Sequence, residues 1–233
     1  MEYTKETTQK DNPILSIIIP TANEPENYFL GQTLKNVQNL DRVEIICIEK
    51  RAAISRAERL NIGFHRAKGS MILFHHPRSL IDPAGIKFLR DHGHQTMWGA
   101  FTHKFDQNRL VYRFTSWYSN QIRGRIRHIF YLDHCVFFHR SLFLKDLPDI
   151  DIFEDTILSQ QLQKLQNPVL LPFTSETSCI RFESNGILKQ SVMNQVLKIA
   201  FFIKLPYRFI NKLYEKNLNL NNDPHERYKN ESN

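Results

Sequence analysis

Leu15-Ser16-Ile17-Ile18-Ile19-Pro20-Thr21-Ala22-Asn23-Glu24 is the stretch that decides the fold. The run Leu15–Ile19 is apolar and rich in β-branched residues, and Pro20 stops it, which reads as a strand buried on both faces. Outward from it, Val43–Ile48 and Met71–Phe74 are two more short apolar runs. Asn27–Leu40 and Ala52–Lys68 lie between the runs and carry helical spacing, with Gly69 as the expected stop of the second helix. Asp82-Pro83 opens a third helix with a side-chain cap and a proline at the first helical position, and Gly93 ends it. Strand alternating with helix predicts right-handed crossovers and a parallel sheet.

Beyond Thr96 the pattern predicts a strand at Met97–Phe105, a helix at Leu110–Ile122, a strand at Cys135–His139 and a helix at Glu154–Gln166. Two short strands are expected near Val169–Phe173 and Cys179–Phe182. A basic amphipathic helix pair over Ser191–Tyr214 follows, broken at Pro206. Residues 1–13 and 217–233 are polar and read as disordered tails, with one α/β domain at 14–216 between them.

The chain has 233 residues, 41% of them hydrophobic, enough to bury a core without disulfides. Cys47, Cys135 and Cys179 are far apart and set among apolar residues, so they read as reduced core cysteines in a reducing compartment. The polar Met1–Asp11 is no signal peptide, and no run of 18 apolar residues exists for a membrane span. The net charge of +7 favours an anionic partner: nucleotide, phospholipid surface or nucleic acid.

In an open parallel sheet, ligands sit beyond the carboxyl ends of the strands. Thr21 and Glu24 follow the first strand, Glu49 the second, and His75-His76-Pro77-Arg78 the third. Each alone suits a turn or a cap; together they line one rim. Glu154-Asp155 opens a helix, where the backbone dipole favours carboxylates. A carboxylate held there can accept a proton from a hydroxyl during group transfer, but acidic residues also serve as ordinary caps. Asp133 sits in an apolar context, Tyr131-Leu132-Asp133-His134. The densest basic patch is Arg123, Arg125, Arg127 and His128 beside Phe130 and Tyr131, readable as a phosphate clamp or as a solvated face. No nucleic-acid-binding motif accompanies it, so no nucleic-acid partner is expected. Adjacent histidines in a strand point to opposite faces, and His92/His94 lie at a helix end without a third ligand, so no metal site is expected from either pair.

The opening segment resembles the first strand and turn of family-2 glycosyltransferases of the GT-A fold. Arg56-Ala57, Asn61-Ile62-Gly63, Ala67-Lys68-Gly69 and Ile72-Leu73-Phe74 resemble that family's "RA…N.G…A.G..ILF" segment. Trp98-Gly99-Ala100-Phe101 resembles "GGAF", and Arg123-Gly124-Arg125 with Tyr131-Leu132-Asp133-His134 resembles "R.R…YGDQ". Phe153-Glu154-Asp155 with Leu162 and Leu165 resembles the "EDvel..rL" helix, and Ser178-Cys179-Ile180-Arg181-Phe182 with Gly186 resembles "S.RRfe..G". The order holds from about residue 14 to 215, nearest to a subgroup of short, soluble bacterial members.

The resemblance implies a GT-A-type α/β fold: a mainly parallel sheet flanked by helices, closed by C-terminal helices. It implies a nucleotide-sugar donor, an inverting displacement, and an acceptor hydroxyl on a glycan or a lipid-linked sugar. Asp155 would be the general base, Glu154 would position it, and Asp133 would contact a sugar. Thr21, Glu24, Glu49, Arg56, Asn61, His76 and Arg78 would face the donor; Arg123, Arg125, His134 and Arg181 would face phosphate or acceptor. The expected location is cytoplasmic, with at most peripheral contact at the inner face of the membrane. The C-terminal apolar stripe suits core packing, a homodimer contact or a lipid surface.

Two departures stand out. The family's "DGGSTDGT" loop is missing after the second strand, where Glu49-Lys50-Arg51 runs almost directly into the Arg56 helix. Its metal-binding aspartate in "FLHADT" is replaced, because Phe74-His75-His76-Pro77-Arg78-Ser79 puts Arg78 there. No cofactor is therefore expected, although the family resemblance alone would allow Mn²⁺ or Mg²⁺. Arg78 could supply the missing positive charge itself, or it could mark a catalytically degenerate binding or scaffold protein.

Overall fold

The structure is a computed structural model describing residues 12–21, 28–49, 55–150, 152–206 and 209–210, with backbone only at Arg181, Ser184, Ile187 and Leu188. In chain order the elements are β1 (Leu15–Thr21), α1 (Tyr28–Val37), β2 (Val43–Glu49), α2 (Arg56–Arg66), β3 (Met71–Phe74), β4 (Ser79–Ile81), α3 (Pro83–Asp91), β5 (Trp98–Phe105) and α4 (Leu110–Tyr118). A π-helical segment, Ser119–Ile126, continues α4, and a 3₁₀ turn spans Leu132–His134. Then come β6 (Val136–His139), α5 (Glu154–Leu162), β7 (Val169–Thr177), α6 (Ile180–Asn185) and α7 (Ile187–Phe202).

One seven-stranded sheet runs β2-β1-β3-β6-β5-β7-β4. As the sequence predicts, β1 pairs in parallel with β2 and with β3, placing Thr21 opposite Glu49. β6 is antiparallel to both β3 and β5, β7 is parallel to β5, and β4 is antiparallel to β7. The reversed strands β6 and β4 therefore begin on the rim where β1, β2, β3, β5 and β7 end. That rim collects Thr21, Glu49, His76, Arg78, Asp133 and Thr177.

Alternation along the strands sends side chains to opposite faces, and both faces are covered. Ile18, Ile46, Ile72 and Phe74 pack with Ala57, Leu60 and Phe64 of α2 and with Leu158 and Leu162 of α5. Ile17, Ile19, Ile45 and Leu73 pack with Val37 of α1 and with Ile86 and Leu89 of α3. Each such fully buried aliphatic contributes roughly 1.5–3 kcal/mol. Asp82 caps α3 as the sequence predicts, its carboxylate accepting from Ala84 N at 2.9 Å with Pro83 next.

Four expectations change. Gly69 is no left-handed stop: α2 ends at Ala67 in an extended conformation, and Gly69 is required because a Cβ there would lie 2.6 Å from Ser16 Oγ. β4 is too short to show in the sequence, and it exists because β7 supplies its ladder. The two strands expected at 169–173 and 179–182 are one nine-residue strand followed by helix α6, since Asp106 Oδ1 accepts from Cys179 N at 2.9 Å and turns the chain. The helix expected at Leu110–Ile122 reaches Ile126 by widening into a π-helix. Beyond α7, Pro206 falls outside helix, and the remainder of the expected second helix lies mostly outside the described residues.

Candidate active site

The rim is organised around Asp133. Its backbone carbonyl accepts from Ser175 Oγ at 2.8 Å and Thr177 Oγ1 at 3.2 Å, which ties the 3₁₀ turn to the end of β7. Its carboxylate lies 3.7 Å from His103 Nε2 and 4.0 Å from an Arg123 guanidinium nitrogen, with 29% of the side chain open. Oδ1 and His103 Nε2 are buried without a hydrogen-bond partner among the described residues. A buried acceptor beside a buried ring nitrogen, on an open rim, is where a ligand hydroxyl would be satisfied. Burial alone would raise the Asp133 carboxyl. Its electrostatic interactions with His103, His134, Arg123 and His76 outweigh it and hold the group well below the usual carboxylate range.

His134 fixes its own tautomer. Nδ1 lies 3.1 Å from the Phe101 carbonyl and must donate to it; Nε2 then accepts from Ser119 Oγ at 3.1 Å and from Arg123 at 3.2 Å. Burial pushes this ring down to about 3 and lowers His103 as well, so both stay neutral and Arg123 is the standing cation. The π-helix delivers Arg123. Its wider turn buries Ser119, Asn120, Arg123 and Gly124, and Arg123 stacks on Tyr131 with its guanidinium carbon 3.5 Å from the ring centre. Single π-turns recur at functional sites. Asn120 closes the arrangement by exchanging hydrogen bonds of 2.9 Å with the backbone of His103.

Glu154 and Asp155 open α5 as expected, and the preceding Phe153 adopts a left-handed φ of 68°. Cys135, just after the Asp133 turn, does the same at 53°. Such backbone states are costly for residues with side chains and concentrate at functional sites. Asp155 Oδ2 accepts from Leu132 N at 2.8 Å and Oδ1 accepts from Thr156 N at 2.7 Å. The base candidate is thus bonded to the residue next to Asp133. Burial raises the Asp155 carboxyl, opposed by Arg56 and by the Leu132 hydrogen bond. Glu154 is fully buried and paired with Arg56 of α2, whose second nitrogen donates at 3.0 Å; burial still pushes Glu154 up to about 7.

On the other side of the rim, Thr21 ends β1, and its Oγ1 is buried without a hydrogen-bond partner among the described residues. His76 and Arg78 form the β3–β4 turn, where His76 Nδ1 accepts from Arg78 N at 3.1 Å. Arg56 reaches the site, but through Glu154. Asn61 does not belong to the constellation: its amide donates to Leu147 O at 2.8 Å and accepts from Leu147 N at 3.0 Å, a two-way clamp on a distant loop. Arg125 is exposed while Arg123 two residues earlier is buried, so the two do not act together. Glu24 and the Arg181 side chain lie outside the described residues.

Three contributors escape a reading of the sequence alone. His103 is an inward position of an apolar strand with no local signal. Arg59, one turn after Arg56, donates to Thr21 O at 2.5 Å and pins the end of β1. Lys198 of α7 stands 6.0 Å from the Tyr131 ring centre.

Among the described residues, a divalent metal, which the family resemblance would allow, finds no matching donor set. Among the described residues no three His, Cys, Asp or Glu side chains converge to hold one. The β3–β4 turn offers histidine and arginine where an acidic ligand would be needed.

No protein-family model and no curated protein sequence matches the chain. Its fold does match solved structures. Staphylococcus aureus TarS 1-349 in complex with UDP-GlcNAc superposes with a TM-score of 0.53 at 13% identity, over 71% of this chain and 58% of that one. The mannosyltransferase PcManGT from Pyrobaculum calidifontis, in complex with GDP-Man and Mn²⁺, gives 0.51 at 15%, over 88% and 69%. Against the longer TarS structure the chain spans 42% of the relative's length, with a TM-score of 0.50 at 12% identity. These likenesses define the class: the protein has a GT-A-type glycosyltransferase fold.

Proposed function

We propose that the protein transfers a sugar from a nucleotide-sugar donor to an acceptor hydroxyl with inversion, as a family-2-like enzyme. The observation that carries the reading is the pair of carboxylates joined through Leu132 and driven in opposite directions: Asp155 raised, Asp133 lowered. Two titratable groups pushed apart in one site carry a division of labour. Asp155, held by two backbone N–H groups and made more basic by burial, is the general base. Asp133, kept ionised by Arg123, binds a sugar hydroxyl without taking its proton. Glu154 positions Asp155 through α5 and spends its own charge on Arg56.

In the step itself the acceptor oxygen attacks the anomeric carbon from the face opposite the leaving group. Its proton passes to Asp155, the new glycosidic bond forms, and the old bond's electron pair leaves on the nucleoside diphosphate. Arg78, at the start of β4, supplies positive charge to that diphosphate where a metal would otherwise serve. The neighbours crystallised with UDP-GlcNAc and GDP-Man make uridine and guanosine diphospho-sugars the first donors to try.

A second reading has its own supporting observation. Asp155 is only 6% exposed, and a binding module would tolerate that burial. A thermal-shift panel of nucleotide sugars, with Mn²⁺ and with EDTA, tests both. A donor at about 100 times its dissociation constant adds roughly 2.7 kcal/mol of stability. Product formation then separates enzyme from module. Absence of any donor-dependent shift rejects both as nucleotide-sugar readings.

A further inference from the structure

Two helical surfaces remain outside the rim. On α4 and its π-helical continuation, Phe114, Trp117 and Ile126 are 64%, 51% and 69% exposed, and Phe114 stacks on Trp117 at 5.8 Å. On α7, whose inner face packs through Leu197 and Ala200 beneath Phe153, Ile199, Phe202 and Ile203 are 61%, 68% and 64% exposed. Arg127 joins the two surfaces, its guanidinium carbon 5.8 Å from the Phe202 ring centre. Large aromatic and branched side chains this exposed, on two elements that meet at Arg127 and Phe202, mark an interaction surface.

Its charge names the occupant. Residues 109–131 and 186–206 contain eight arginines and lysines and no aspartate or glutamate, while the whole chain carries only +7. The rest of the molecule is therefore close to neutral, and the net positive charge sits on the elements that carry the exposed apolar residues. Arg113, Arg125, Arg127, Lys189 and Lys204 are all exposed. A two-fold contact with a second copy would bring this cationic surface against itself. An anionic bilayer takes both components, headgroups against the cations and acyl chains against the aromatics and aliphatics. No helix of the described residues is long and apolar enough to cross a membrane.

We infer that this α4–α7 face docks on an anionic phospholipid surface. The same face borders the rim, because Lys198, between Leu197 and Ile199 on α7, overlooks Tyr131. A docked molecule therefore holds Asp133 and Asp155 beside the lipid. This inference does not depend on the catalytic reading.

The two tryptophans provide the probe. Trp98 is fully buried and Trp117 half-exposed, so a change in emission on docking reports Trp117 alone. The full chain is titrated with phosphatidylcholine vesicles, with and without phosphatidylglycerol, and sedimented with them. The expected result is a blue shift and co-sedimentation only with phosphatidylglycerol present, both reversed by high salt. Trp117→Phe should abolish the shift and leave sedimentation largely intact. Phe202→Ser/Ile203→Ser and Arg127→Glu/Lys204→Glu should each weaken vesicle partitioning roughly tenfold or more, with circular dichroism and melting showing retained fold. Two results overturn the inference: a folded wild-type chain indifferent to phosphatidylglycerol, or Trp117 burial that follows protein concentration without vesicles and disappears in the Phe202→Ser/Ile203→Ser variant, which assigns the face to a second copy.

Discussion

The two halves of the rim are built on opposite principles. On the side of β5, β6 and α5, acidic groups are held by many partners: Asp133 by its carbonyl, Asp155 by two backbone N–H groups, Glu154 by Arg56. On the side of β1, β2 and β3, the described residues offer strand ends and one turn, with Thr21, Glu49, His76 and Arg78 and no clustered acid. The first half is fitted for accepting protons and hydrogen bonds from hydroxyls. The second suits an anion, and a donor diphosphate is one. On the proposed function, the chemistry of the sugar falls on one side and the charge of the leaving group on the other.

The largest expected effect breaks the acid-rich half. Asp155→Asn is nearly isosteric and keeps an acceptor for one of the two backbone N–H groups while losing the other, so the fold should persist at some cost in stability while turnover falls ~10²–10⁴-fold, the usual contribution of a general base. Unchanged turnover in a folded Asp155→Asn variant removes Asp155 from the mechanism. Glu154→Ala should act on stability instead. Stripping one partner from a buried ion pair costs about 3–5 kcal/mol, visible as a lowered denaturant midpoint, and Arg56→Ala in the same background should recover part of it. Equal destabilisation by the single and double variants would mean the pair acts through packing alone.

A smaller effect separates the histidine core under the rim from both halves. Burial lowers His75 from 6.5 to about 4, so the folded state binds fewer protons than the unfolded one between those values. The stability from neutral His75 is complete above pH 6.5 and is lost as pH falls toward 4. At about 1.36 kcal/mol per unit this amounts to about 3 kcal/mol at most. Glu154, raised to about 7, works in the opposite sense by stabilising the fold as pH falls from 7 toward 4.5. The comparison is therefore between wild type and His75→Asn: relative to wild type, the variant should gain in melting temperature as pH falls from 6.5 toward 4. Parallel curves would show that His75 titrates alike in both states.

The smallest effect tests the anion half. Arg78→Ala should weaken nucleoside-diphosphate binding by about 1.5–3 kcal/mol, the range of a hydrogen bond to a charged group, with EDTA making no difference. Binding that needs Mn²⁺ and ignores Arg78→Ala would refute the charge substitution.

The first half of the fold is legible in the sequence because its signals are local. Three apolar runs, a capped proline start and helical spacing specify β1, β2, β3, α2 and α3 without help from distant residues. The later elements depend on partners far along the chain. Ser79–Ile81 is a strand only because β7 lies beside it, and Cys179–Phe182 turns into a helix because Asp106 accepts its first N–H. The same division runs through the site. Asp133, Glu154 and Asp155 announce themselves as acids in apolar settings. His103 and Arg59 look like ordinary strand and helix residues until the topology brings them to Asp133 and Thr21. Asn61, which the motif places at the donor, turns out to clamp Leu147, because its position on α2 faces that loop.

The most direct measurement is a calorimetric titration of the full chain with nucleotide sugars in the presence of EDTA, followed by assay of the bound donor for transfer. The account predicts one donor that binds without metal, binds more weakly to Arg78→Ala, binds undiminished to Asp155→Asn, and is turned over only when Asp155 is present. A folded chain that binds no nucleotide sugar, with or without Mn²⁺, would contradict it.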